Sequence, residues 1–232
     1  MIVNTRPEEI GKKTNALLRN HGCNFIHIPL TEISRIEPSN EAKLLINNID
    51  NYDALIFTSQ SSVKYSMSFL KRKYSDKKKM PIISIGSATQ NFLEKLNISS
   101  DVPLTYDSLG LSKLIKEKKY KRCLVFCGKE DPQILSLSEA EIHLFKCYET
   151  ITKKNINLLK IKNCKKLIVL IYTNKSLEVF SEKYKKGDMR KIVLIVASRR
   201  IKKLSVKYGF KNCFVAKTPL DKDMISAAMG KL

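Results

Sequence analysis

Residues able to hold a charged or polar small molecule recur at one kind of place in this chain, the turn after a short apolar run. Thr58, Ser59, Ser61 and Ser62 follow Leu55-Ile56-Phe57, and Gly86, Ser87 and Thr89 follow the run from Pro81 to Ile85. Gly128 closes Leu124 to Cys127, Thr173, Asn174 and Ser176 close Leu167 to Tyr172, and Ser198 and Arg200 follow Ile192 to Val196. Hydroxyl and amide side chains at such turns cap helices, and the capped turn presents backbone N–H groups at the positive end of the helix dipole. Carboxylates suit those donors. Arg6, at a strand end before Pro7, and Arg200 add guanidinium groups that can grip a carboxylate with two hydrogen bonds, although an exposed helix arginine needs no ligand to explain it.

Other chemistries lack their residues. The chain has three histidines, His21, His27 and His143, and no HExxH, GxSxG, GxGxxG or phosphate-loop pattern, so the motifs of a metal site, a hydrolytic triad and a nucleotide site are missing. His27 lies in the apolar run Phe25 to Leu30 and is expected to pack there rather than act as a base. The six cysteines, Cys23, Cys123, Cys127, Cys147, Cys164 and Cys213, include no CxxC pair, and they are expected to be buried thiols. Tyr148 offers a phenol, which can give a proton as well as accept one, and it reads equally well as a packed ring.

The elements that must position these residues follow from periodicity. Short β-rich runs alternate with helical stripes, the pattern of parallel α/β units. Ile2 to Thr5 is the first predicted strand. Pro7 then opens a helix whose face carries Ile10, Thr14, Leu17 and Leu18 and which His21 and Gly22 close. Phe25 to Leu30 is the second strand. Ala54 to Thr58 precedes a stripe of Val63, Met67 and Leu70, and Pro81 to Ile85 precedes Phe92, Leu93 and Leu96. The last helix is predicted after Thr218, Pro219 and Asp221, with Met224, Ile225, Ala228 and Leu232 along one side. A weak internal repeat relates Leu55-Ile56-Phe57-Thr58-Ser59-Gln60-Ser61 to Leu170-Ile171-Tyr172-Thr173-Asn174-Lys175-Ser176, and Ile85-Gly86-Ser87 to Val196-Ala197-Ser198. Two similar α/β lobes follow from it, with a ligand expected beyond the carboxyl ends of their strands.

The 232 residues make one large domain or two small ones, and the formal charge of +21 points to a polyanionic partner or to a solvated basic surface. Residues 1 to 31 carry +2, residues 32 to 149 carry +3, and residues 150 to 232 carry +16. The basic runs Lys71 to Lys79 and Lys183 to Lys191 contain only Tyr74 and Tyr184 as stacking partners, which weakens a nucleic-acid reading. No apolar run reaches the roughly 18 to 20 residues of a membrane span, and Glu8 and Glu9 interrupt the start, so a cytoplasmic protein is expected.

Taken in order, these segments resemble uroporphyrinogen-III synthase. The residues that carry the resemblance are Val3-Asn4-Thr5-Arg6-Pro7, Phe57-Thr58-Ser59 with Val63, Ile85-Gly86-Ser87-Ala88-Thr89 and Cys147-Tyr148-Glu149-Thr150. Leu170 to Thr173 and Ser198-Arg199-Arg200-Ile201-Lys202-Lys203-Leu204 through Gly209 complete it. The resemblance implies two flavodoxin-like, parallel, doubly wound lobes joined by a two-stranded connector, the first built from 1–31 plus 150–232 and the second from 32–149. It also implies a hydro-lyase of haem biosynthesis that cyclises hydroxymethylbilane, a polycarboxylate, with inversion of the last pyrrole ring and loss of water. The same resemblance leads us to expect no cofactor or metal, and a monomer with neither nucleic-acid nor membrane partners. The chain departs from the family pattern in a short helix after Gly128, in a Thr173-Asn174-Lys175-Ser176 turn one residue short, and in Val196-Ala197-Ser198-Arg199-Arg200. Competing expectations are a two-lobed small-molecule-binding protein or nucleotide-sugar transferase, and a basic nucleic-acid-binding α/β protein.

Overall fold

The computed structural model describes residues 1–70, 80–185 and 187–232. The basic run Lys71 to Lys79, with Tyr74, lies outside the described residues, as does Lys186. The chain divides into two compact units, Met1–Glu32 with Thr150–Leu232, and Ile33–Glu149.

In the first unit β1 (Ile2–Asn4), α1 (Glu8–Asn20) and β2 (Phe25–His27) come from the start of the chain. β3 (Thr31–Arg35) then leads into the second unit, which holds α2 (Asn40–Asn47), β4 (Ala54–Phe57), α3 (Gln60–Leu70), β5 (Ile82–Ser84) and α4 (Ser87–Glu94). It continues with α5 (Ser108–Glu117), β6 (Arg122–Gly128), α6 (Ile134–Leu137) and the twelve-residue β7 (Glu141–Thr152), in which the chain returns. The first unit closes with β8 (Leu167–Ile171), α7 (Asn174–Lys183), β9 (Ile192–Val196), α8 (Arg199–Lys207), β10 (Cys213–Val215) and α9 (Asp221–Met229).

The first sheet has the order β10-β9-β8-β1-β2 with every pairing parallel. Counted along its own strands this is 2-1-3-4-5, the flavodoxin-like winding. The second sheet, β3-β7-β6-β4-β5, repeats 2-1-3-4 in β5-β4-β6-β7, and β3 takes the fifth place. β3 runs antiparallel to β7, because Ile36 N–H bonds Cys147 O at 3.1 Å while Lys153 N–H bonds Leu30 O at 3.1 Å, so numbers rise on one strand as they fall on the other.

The central strands are buried along their whole length, as strands covered by helices on both faces must be. In the first unit Leu167, Val169 and Ile171 pack with Leu177, Phe180 and Ile201, while Ile168 and Leu170 pack with Leu18, Met224 and Ile225. The second unit does the same, with Leu55 and Phe57 facing Val63 and Leu93, and Ala54 and Ile56 facing Leu111 and Ile115. At about 25 cal/mol per Å² such two-faced burial dominates the stability of both units.

Some expectations need correction. The last helix ends at Met229, and Leu232 lies beyond it, exposed, because Gly230 caps the helix. The run Phe25 to Leu30 is a strand only to His27. Four cysteines are buried, but Cys23 and Cys164 are half-buried, and all six are free thiols. The buried stripe of α1 is Gly11, Thr14, Asn15 and Leu18, with Ile10 and Leu17 at its margins.

Candidate functional site

In the second unit the carboxyl ends of β4, β5, β6 and β7 point the same way, since these strands run parallel, and they gather most of the turn residues. Thr58 extends β4, donating its hydroxyl to Phe126 O at 3.1 Å. Ser59 precedes α3 and caps it. Its Oγ accepts Ser62 N–H at 3.0 Å, while Ser62 Oγ accepts Ser59 N–H at 3.1 Å and donates to Ser59 O at 2.7 Å. This reciprocal pair satisfies helix-end donors locally, with serine in the place where a capping box has glutamate or glutamine. Ser61 and Ser62 are buried. Gly86 ends the β5 turn without a side-chain cap, so α4 begins at Ser87 with uncapped N–H groups, and Thr89 is buried one turn inside.

Tyr148 lies within β7, opposite Gly128 at the end of β6. Strand alternation would put Cys147 and Tyr148 on opposite faces, but the register shifts between Cys127 and Gly128, pairing Gly128 with Tyr148. Both side chains then pack against the cluster containing Phe126 and Phe145. Re-aiming a side chain is a common use of such an irregularity. The phenol reaches Ser59, whose Oγ–H donates to Tyr148 OH at 3.0 Å. Gly128 makes room for the ring, since a Cβ there would lie 3.1 Å from Tyr148 Cζ. Burial pushes the Tyr148 hydroxyl above the ordinary phenol range, and the Ser59 hydrogen bond pulls it partly back.

The first unit carries its own set. Thr173 caps α7, accepting Ser176 N–H at 3.1 Å, and Ser198 caps α8, accepting Ile201 N–H at 3.3 Å. Asn174 opens α7, and its Oδ1 is buried without a hydrogen-bond partner among the described residues. Arg200 is exposed on α8. Arg6 is engaged, with Nη1 2.6 Å from Asp221 Oδ1 and its guanidinium 4.1 Å from the centre of the Tyr172 ring. Asp221 Oδ1 also accepts from Tyr172 OH at 2.8 Å and Thr14 Oγ1 at 3.0 Å. Sequence reasoning missed this cluster, because Arg6 and Asp221 stand at opposite ends of the chain. His27 is held as expected of a packed residue, with Nδ1 3.0 Å from Asn15 Nδ2 and Nε2 2.9 Å from Arg6 O. Since the amide nitrogen can only donate and the carbonyl only accept, Nδ1 is the acceptor and Nε2–H the donor in these two bonds.

The structure therefore brings Thr58, Ser59, Ser62, Gly128 and Tyr148 into direct contact or adjacency, and leaves Arg200 apart. Cavities inside the units, about 610 Å³ beside Leu158 and Tyr184 and about 450 Å³ beside Ile46 and Phe69, are lined by none of the turn residues. Among the described residues no helix is long and apolar enough to cross a membrane, and no three His, Cys, Asp or Glu side chains cluster to hold a metal ion.

Residues 12–226 match the family model described as uroporphyrinogen-III synthase HemD. The fold is similar to a crystal structure of uroporphyrinogen-III synthetase from Helicobacter pylori 26695, with a TM-score of 0.69, 16% identity and coverage of 100% of this chain and 99% of that one. It is also similar to a mutant uroporphyrinogen III synthase from the extremely thermophilic bacterium Thermus thermophilus, with a TM-score of 0.61, 13% identity and the same coverage. No curated protein sequence matches the chain. These matches lend no support to the transferase, binding-protein or nucleic-acid expectations.

Proposed function

Because the chain belongs to the uroporphyrinogen-III synthase family, hydro-lyases of haem biosynthesis, we propose that it cyclises hydroxymethylbilane and that the turn uniting Ser59 and Tyr148 carries the proton transfer. The pyrrole nitrogen supplies the electron pair that expels the hydroxyl. As the C–O bond breaks, its electrons go to oxygen, the Tyr148 proton joins them, and water leaves an azafulvenium ion. Ring closure later releases one proton from carbon, which restores the phenol. The protein's remaining work is to fold the linear tetrapyrrole and to stabilise the spiro intermediate through which the last ring inverts.

Candidate carboxylate contacts in one unit are the turn amides and hydroxyls at Gly86, Ser87 and Gly128, while Thr58 and Ser59, whose own donors are spent inside the turn, shape it; the first unit, taken by itself, offers Thr173, Asn174, Ser176 and Ser198. Ser61, Ser62 and Thr89 support those turns from within. Arg6 and Arg200 add positive potential, Arg6 while paired to Asp221. The observation that carries this reading is the Tyr148 hydroxyl, half-buried, hydrogen-bonded to a helix-capping serine, and opposite a glycine at a strand end. The enzyme is proposed to act in the cytoplasm as a monomer, with this small molecule as its partner.

The purified protein should convert hydroxymethylbilane to the type III isomer, separated chromatographically from type I after oxidation. Tyr148→Phe should lower kcat about 5- to 30-fold, the equivalent of one lost hydrogen bond of about 1–2 kcal/mol to the departing oxygen. Product consisting only of the type I isomer would reject the activity, and an unchanged kcat in Tyr148→Phe would reject the donor.

A further inference from the structure

Ser59 stands between a helix end and a phenol. A hydroxyl has one proton and two lone pairs. The Ser62 N–H occupies a lone pair of Ser59 Oγ at 3.0 Å, and the Ser59 proton points at Tyr148 OH at 3.0 Å. Ser62, fully buried, locks the turn by accepting Ser59 N–H and donating to Ser59 O. With its oxygen accepting from Ser59, the phenol must direct its own proton elsewhere.

On the premise that Tyr148 is the donor, we propose that Ser59 is a positioning residue that turns the Tyr148 proton outward and stabilises the phenolate formed when that proton leaves. The chain of donors runs from Ser62 N–H through Ser59 Oγ–H to the phenol oxygen, all polarised in one direction and beginning at the positive end of α3. Negative charge on the phenolate strengthens the Ser59 bond at the moment of proton transfer, since hydrogen bonds to charged acceptors are the stronger ones. Burial alone would make Tyr148 a poor acid, and Ser59 opposes that effect. The ring is held for this contact by Gly128 on one side and by Tyr65, whose ring centre lies 6.4 Å away, on the other.

The test combines Ser59→Ala and Ser59→Thr with Tyr148→Phe, reading kcat, KM and the pH dependence of kcat for hydroxymethylbilane. Ser59→Ala should lower kcat roughly 3- to 10-fold with KM within about 2-fold, the effect of one modest hydrogen bond, and should move the alkaline limb of the kcat profile upward. Ser59→Thr, which keeps both cap and hydroxyl, should restore kcat and the limb. In the Tyr148→Phe background, Ser59→Ala should cost nothing further in kcat. Loss of the α3 cap lowers the melting temperature equally in both backgrounds, so a purely structural role would slow both proteins alike. A wild-type kcat in Ser59→Ala, or an equal loss in both backgrounds, overturns the positioning role while Tyr148→Phe remains slow. A wild-type kcat in Tyr148→Phe overturns the donor itself and the positioning role with it.

Discussion

Asp221 ties the two ends of the chain together through a single oxygen, and its removal should be felt as lost stability. Oδ1 accepts from Arg6 Nη1 at 2.6 Å, Tyr172 OH at 2.8 Å and Thr14 Oγ1 at 3.0 Å, with the Asp221 side chain only 10% exposed. Hydrogen bonds to charged groups contribute about 1.5–3 kcal/mol each, and stranding one partner of a buried ion pair costs about 3–5 kcal/mol. Arg6, at 22% exposure, can recover part of this in water, and Thr14 is a neutral partner. A net loss of about 2–4 kcal/mol is therefore expected for Asp221→Ala, and about half of that for Asp221→Asn, which keeps an acceptor but not the charge. For a chain of this length, that is a fall of roughly 5–15 °C in melting temperature for the alanine variant. Urea unfolding followed by far-ultraviolet circular dichroism measures the change. An alanine variant within about 0.5 kcal/mol of the parent would refute the reasoning, since it would mean that the three bonds are replaced by water without penalty.

Other contacts set four further outcomes. Gly11→Ala should be destabilising by about 1–3 kcal/mol although alanine is the better helix former, because a Cβ there would lie 2.3 Å from His27 Nε2; a stabilised variant in the same urea assay would show that the ring moves aside freely. A thiol reagent should label Cys23 and Cys164 in the native protein and spare Cys123, Cys127, Cys147 and Cys213, and labelling of all six at one rate would contradict their burial. Burial pushes Cys123, Cys127 and Cys147 up to about 12, so the fold holds them protonated while the unfolded chain ionises them near the ordinary thiol value of about 8.5. Stability from these groups is thus complete below about pH 8.5 and is lost progressively as pH rises toward 12, by about 1–2 kcal/mol per thiol at pH 10; Cys147→Ala should lose less stability between pH 8 and 10 than the parent, and equal losses would argue against it. The first unit carries 25 basic and 8 acidic residues, so salt should lower kcat/KM for a polyanionic substrate more than kcat; a salt-independent kcat/KM would exclude electrostatic capture.

What was legible in the sequence was local. The caps at Ser59, Thr173 and Ser198 are set by a residue and its neighbour three positions on, and the buried strands announce themselves as continuous apolar runs. The elements that were missed have weak local signatures. β3 is half exposed, α2 exposes Leu44, and β10 has three residues, so none shows a clean period; α5 is the exception, a helix passed over although Asp107 caps it and Leu111 and Ile115 mark its buried face. The contacts that organise the site are long-range. Ser59 meets Tyr148 only because β7 pairs with β6 across a register shift, and no spacing along the chain encodes a shift. Gly128 is visible as a turn glycine, yet its use is to leave room for a ring twenty residues away.

The two units also decide between two phenols. Tyr172 directly follows β8 and corresponds in the internal repeat to Phe57 at the end of β4, each one residue before a threonine that begins the turn, so the repeat offers Tyr172 a place beside the turns as good as that of Tyr148. Their hydrogen bonds separate them. Tyr172 donates its proton to Asp221 at 2.8 Å, under Arg6, and burial together with that carboxylate drives its hydroxyl far above the phenol range. Its proton is already committed to an acceptor inside the fold, and releasing it would set a phenolate against a carboxylate. Tyr148 accepts a hydrogen bond from Ser59 and, among the described residues, has no carboxylate bonded to its oxygen, so its own proton remains available and the resulting charge meets a donor. A phenol that accepts from a helix cap is built to give a proton away, and a phenol that donates to a buried aspartate is built to keep it. On this ground we propose Tyr148 rather than Tyr172 as the proton donor, with Tyr172 left to hold Asp221.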